Sequence, residues 1–221
     1  MAANSFYSRK LHSLLGVIPL GFFIVEHMLT NYSAFEGGKQ AFTDQVIWLN
    51  SLPLVFYLEL FGIWLPLLYH GVYGLYIAYQ ARNNVTTYGY FRNLMFTFQR
   101  ISGVLTLIFI VWHFYDTRFQ VSLGNVTHEG LAERMHDIAS TPIFFVLYCI
   151  GIIAATFHFS NGMWSFLVSW GITVGPRAQR FSSYVWMAVF VLLATMFILA
   201  LTAFTNKSFA LATDVLQQIA G

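Results

Sequence analysis

Five long apolar runs constrain this chain more than any other feature. They lie near residues 12–32, 53–80, 98–117, 142–173 and 182–205, and each reaches the roughly 20 residues that an α-helix needs to cross about 30 Å of hydrocarbon. Composition agrees, because only 9% of the residues are charged, against roughly 25% in soluble domains. The runs are continuous and do not alternate in pairs, which argues against a β-barrel. The expectation is an all-α, polytopic membrane protein: one transmembrane domain over residues 1–221, with five helices in a bundle. The apolar stretch after MAANSFYSRK is too long for a signal peptide and lacks a small-residue cleavage site, so it is read as the first span.

Charge sets the orientation. With the N-terminus in the cytoplasm, the inner segments hold Arg9, Lys10, Arg82, Arg92, Arg100, Arg177 and Arg180, and the outer ones hold Lys39, Arg118, Arg134 and Lys207. The positive-inside rule favours this arrangement. Glu36, Asp44, Asp116, Glu129, Glu133, Asp137 and Asp214 all fall outside, leaving the inner face purely basic. A formal charge of only +2 gives no reason to expect nucleic acid as a partner; the partner solvent is lipid. The outer connections are the longer ones, and residues 118–141 carry an amphipathic pattern from Glu129 to Ile138 that predicts a short helix. No connection is long enough for a soluble domain. Chemistry on an aqueous substrate therefore belongs to another subunit, unless the chain is a transporter or channel.

The functional signal is in the histidines. His27, His70, His113 and His158 fall one each in the first four spans, where the only Asp, Glu, Lys or Arg residues well inside are Glu26 and Glu59. A single intramembrane histidine commonly serves helix packing, but four on four helices need a common purpose. Depth supplies one. His27 lies about 6 Å of helix rise from Asn31, and His113 about 5 Å from Asp116, both near the outer side. His70 and His158 lie roughly 24–26 Å inward of Pro53 and Pro142, which mark outer helix starts. Two histidines facing each other at one depth can ligate a haem iron from both sides, leaving no open position and favouring electron transfer. The sequence therefore predicts two stacked haems b, an outer one on His27 and His113 and an inner one on His70 and His158.

A macrocycle needs room. Gly74 and Gly162 each follow an inner histidine by four residues, on the same helix face, and are candidates for haem packing. Gly151 extends the His158 face outward, and Gly16 and Gly103 thin the first and third spans toward the inner haem level. His12 is read as an interfacial residue at the inner end of span one. His128 and His136 are read as solvated. The single cysteine, Cys149, excludes an internal disulfide or a multi-cysteine metal site and is read as a small core residue.

The stretches RKLHSLLGVIPLGFFIVEH (Arg9 to His27), LPLLYHGVYGLYIA (Leu65 to Ala78), QRISGVLTLIFIVWH (Gln99 to His113) and FHFSNGMWSFLVSWGITVGPRAQR (Phe157 to Arg180) closely resemble the dihaem cytochrome b subunits of succinate dehydrogenase from Gram-positive bacteria. The resemblance runs from about Phe6 to Phe204. It implies a high-potential inner haem on His70 and His158 and a low-potential outer haem on His27 and His113. It also implies that the chain anchors a flavoprotein and an iron-sulfur subunit at the cytoplasmic membrane and passes their electrons to menaquinone, with quinone chemistry near the outer haem.

Quinone reduction also needs protons. Glu59 lies about 16 Å of helix rise outward of His70, near the expected outer haem level, and is the candidate for exchanging protons with the quinone or a haem propionate. Glu26 adjoins His27 but points about 100° away from it on a helix. Related enzymes use an acidic residue near the outer start of the second helix, where this chain has Asn50 and Ser51. Three rivals stand beside this reading. The same architecture serves menaquinol:fumarate reductases, a histidine-containing transporter would carry inverted repeats or broken helices, and a haem-free anchor would leave four imidazoles without a purpose.

Overall fold

The computed structural model describes residues 2–82 and 84–210, so Asp214 lies outside the described residues. Within them the chain is helical, with no strand. Helices α1 (Ala2–Val17) and α2 (Pro19–Asn50) are followed by α3 (Val55–Glu59), a π-helical turn (Leu60–Trp64) and α4 (Leu65–Gln80). Then come α5 (Phe91–Asp116), α6 (Arg118–Ser122), α7 (Leu131–Ser140), α8 (Pro142–Ser169), α9 (Pro176–Phe204) and a 3-10 turn at Lys207–Phe209. Five helical segments are long and apolar enough to cross a membrane: Ser5–Asn50, Val55–Gln80, Phe91–Ser122, Pro142–Ser169 and Pro176–Phe204.

Proline marks three of the helix starts. Pro19, Pro142 and Pro176 are the first residues of α2, α8 and α9, where the missing N–H costs nothing and the fixed φ is already helical. Pro66 is the second residue of α4, and just before it the Leu65 N–H reaches back five residues to the Leu60 carbonyl. A proline inside a continuous helix crowds the carbonyl four residues earlier, so the single π turn is the local repair. Helix α8 ends at Gly171 (φ +71°), with the Ile172 N–H on the Leu167 carbonyl and the Gly171 N–H on the Val168 carbonyl. That is a Schellman closure built on the one residue type that enters left-handed backbone freely.

Residues 33–50, expected to connect spans, are instead helical. The break comes at Gly38, whose backbone (φ 71°, ψ −160°) is open only to glycine, and the helix resumes beyond it because residues 39–50 have an apolar face to bury. Phe42 and Val46 on that face are 5% and 7% exposed. The short helix expected from Glu129 to Ile138 is α7, displaced by about two residues.

The described chain forms two compact units. The first comprises residues 2–25, 56–82, 84–108 and 153–193. In it α1 packs on α4, and α8 meets α5 and α9 through Phe157 against Phe98 and Phe190. Thr156 and Ser160, one turn apart on α8, are among its most buried residues, while Phe22, Leu68 and Leu192 face outward. This inversion is the mark of helices that pack through small residues in an apolar solvent.

The second unit comprises residues 26–55, 109–152 and 194–210. Its core gathers Ala34, Phe42 and Val46 of α2, Ala132, Met135, Ile138 and Ala139 of α7, Tyr148 and Ile152 of α8, Leu201 and Phe204 of α9, and Phe209. His136, expected to be solvated, is half-buried here and donates from Nδ1 to the Phe204 carbonyl at 2.7 Å. The last carbonyls of α9 have no helical donor, and α7 supplies one. His128 is half-buried as well. Cys149 is a free thiol packed against this core, as expected of a small core residue.

Candidate metal centre: two histidine pairs

Each unit holds one of the expected histidine pairs. In the first, α4 presents His70 and α8 presents His158, with ring centroids 6.0 Å apart and planes at 81°. In the second, α2 presents His27 and α5 presents His113, with centroids 5.8 Å apart and planes at 70°. The structure therefore pairs the four histidines as their depths in the sequence predicted.

The hydrogen bonds assign the ring nitrogens. The Nδ1–H of His70 donates to the His12 carbonyl at 2.9 Å, and that of His158 to the Gln99 carbonyl at 3.0 Å. His113 Nδ1 lies 3.2 Å from the Tyr148 hydroxyl. Anchoring Nδ1–H on a carbonyl fixes the tautomer of His70 and His158 and leaves Nε2 as the free ligand, the arrangement that metal-binding histidines adopt. His27 is held differently: the Asn31 amide donates to its backbone carbonyl at 2.8 Å and lies against the ring.

These residues fit a haem iron. Two metal–imidazole bonds of about 2 Å, each extended by about 1.1 Å to the ring centre, put the centres about 6 Å apart. Among the described residues no group of three or more His, Cys, Asp or Glu could hold a bare ion. Two protein ligands per site are what a porphyrin iron requires, since the macrocycle supplies the other four donors.

Glycines keep the space around the first pair. A Cβ on Gly16 would run into the His70 ring, and one on Gly103 would come within 2.7 Å of His158 Cε1. A Cβ on Gly74 would lie 3.1 Å from the His12 ring and one on Gly162 3.1 Å from Gln99 Nε2. The neighbours of these two glycines are thus the supports of the ligands, not the ligands. Gly151 belongs to the second unit, where it abuts the Phe109 ring, and Phe109 stacks on His113 at 5.8 Å.

Three supporting residues were missed or undervalued in the sequence. His12, read as interfacial, stacks on His70 at 4.1 Å with planes 7° apart; its position one turn before Gly16 was the available signal. Gln99 donates from Nε2 to the His158 carbonyl at 2.9 Å and accepts from Asn161 at 2.7 Å. It lies one turn before Gly103, on the same face. Tyr148 is 3% exposed, and nothing in its local sequence marks it. Glu26 accepts from the Thr30 hydroxyl at 2.7 Å. Glu59 is half-buried at the end of α3, in the first unit, immediately before the π turn. Asn50 and Ser51 bond back to carbonyls of their own helix.

With this geometry in place, comparison with known proteins is decisive. A family model for succinate dehydrogenase/fumarate reductase transmembrane subunits matches residues 80–199. The succinate dehydrogenase cytochrome b558 subunit of Bacillus subtilis (strain 168) is 46% identical over 205 residues, covering 92% of this chain and 100% of that protein. The chain belongs to this family of transmembrane subunits. The family segment contains His113 and His158, one member of each pair. Membership places the chain in the membrane, as the transmembrane subunit of a redox enzyme complex.

Proposed function

We propose that this chain is the dihaem cytochrome b subunit of a bacterial succinate:menaquinone oxidoreductase. It anchors the flavoprotein and iron-sulfur subunits on the cytoplasmic face and carries their electrons to menaquinone. The observation that carries the reading is the two histidine pairs near 6 Å. The name of the Bacillus subtilis relative supports succinate as the donor, although the family description also covers fumarate reductases.

Haem b, when bound, supplies reversible one-electron exchange at six-coordinate iron with no site for oxygen. His70 and His158 hold the inner group, and His27 and His113 the outer one. The carbonyls of His12 and Gln99 and the hydroxyl of Tyr148 orient the imidazoles, Gly16 and Gly103 leave room for the inner rings, and Gly74 and Gly162 leave room for the supporting His12 and Gln99 side chains. Basic residues on the N-terminal side orient the chain with that side in the cytoplasm. Glu59 is the proposed proton carrier for the quinone. Its replacement by Gln is expected to slow quinone reduction with both haems retained, and unchanged quinone reduction removes it from the route.

The test is reduction by substrate. In membranes holding the assembled complex, succinate is expected to reduce the cytochrome, and menaquinone to reoxidise it. In a His70→Ala variant one haem is lost and succinate no longer reduces the other. A His70→Ala membrane that retains two bis-histidine haems contradicts the assignment.

A further inference from the structure

Helix α7 is only ten residues long, yet it touches three of the long helices of its unit through side chains in nearly consecutive positions. Glu133 pairs with Lys39 of α2 at 2.6 Å. Arg134 donates from Nε to the Asp116 carbonyl at 3.0 Å and pairs with the Asp116 carboxylate at 3.2 Å. His136 donates to the Phe204 carbonyl at the end of α9. Ala132, Met135, Ile138 and Ala139 of α7 are buried in the core of the unit.

The grips on α5 and α2 lead to the outer histidine pair. Asp116 is three residues past His113, on the same last turn of α5, so Arg134 holds the turn that carries the ligand. Ala34, seven residues past His27 and on its face of α2, is buried in the same core as α7. Beyond Ala34 the helix is broken at Gly38, and Lys39 with Phe42 and Val46 secures the resumed segment against α7. Tyr148, which meets His113 Nδ1, belongs to that core too.

We propose that α7 is a clamp that sets the spacing of His27 and His113, with Glu133 and Arg134 as positioning residues that hold α2 and α5 through Lys39 and Asp116. The inference rests on the haem reading above. It assigns the outer site a device made from residues 131–140, while the contacts that anchor the inner pair come from α1 and α5. An ion pair with partly exposed members is worth little to global stability, so its effect should be local to the site that it spans.

The experiment uses the assembled complex in membranes, with Lys39→Glu, Glu133→Lys, the double reversal Lys39→Glu/Glu133→Lys, and Arg134→Gln. The readouts are the potential and low-spin electron paramagnetic resonance signal of each haem, and the rate at which each noncovalent haem is lost after detergent extraction. Each single variant is expected to shift the outer haem's potential and signal and to speed its loss by about two- to fivefold, the scale of one such pair. The inner haem stays unchanged, and the double reversal restores the outer one. An outer haem that is unaltered in all single variants overturns the clamp. So does an equal effect on both haems that the double reversal does not repair, since that describes general destabilisation. Fewer than two haems in the unmutated complex refutes the haem reading itself, a result distinct from either.

Discussion

At the residue scale, the account rests on four imidazoles and the oxygens and glycines around them. Four histidines on four apolar helices could be read from sequence alone, because Glu26 and Glu59 are the only Asp, Glu, Lys or Arg residues well inside the spans. Their supports could not, since Gln99 and Tyr148 lie on helices remote in sequence from the rings they hold. Gly103 offers a direct check. A Cβ there would sit 2.7 Å from His158 Cε1, so Gly103→Ala is expected to displace the ring at a cost of about 1–3 kcal/mol and lower inner-haem occupancy. Gly62→Ala is its control, because nothing lies within 4 Å of a Cβ at that position. Equal haem content in the two variants would remove Gly103 from the site. Tyr148→Phe leaves the Nδ1–H of His113 without its acceptor and makes that imidazole a poorer electron donor. A redox titration of this variant is expected to show a raised potential for the outer haem and an unchanged one for the inner haem.

At the scale of elements, hydropathy located every span but not every end. It missed the helical continuation through residues 33–50, because a polar stretch with GG in the middle reads as a loop until a partner for Phe42 and Val46 is known. The π turn was invisible for a similar reason: the second span reads as one continuous apolar run, and a proline within it does not say which backbone repair follows. α7 was legible, since its apolar residues recur with helical period over ten positions. Gly38 is the element-scale test. Its φ of 71° with ψ of −160° suits glycine alone, so Gly38→Ala is expected to cost about 1–3 kcal/mol. Thermal unfolding in detergent is expected to show a lower midpoint, with the outer haem released before the inner one. An unchanged midpoint and simultaneous release would mean that the break in α2 does not support the second unit.

At the scale of the whole molecule, lipid is the organising solvent. Many large apolar side chains face outward, small and polar ones are buried in the first unit, and among the described residues the extensive apolar core lies in the unit that contains α7. Family membership fits so small an aqueous portion: the chain is a transmembrane subunit, and its helices bring two histidine pairs together. The central claim is that these pairs hold two haems in one chain. A pyridine haemochrome assay on the purified complex, combined with a stepwise redox titration of its reduced-minus-oxidised spectrum, measures this directly. The expected result is two protohaems per chain that titrate at separate potentials. A single haem would mean that one histidine pair has been misassigned, and none would contradict the account.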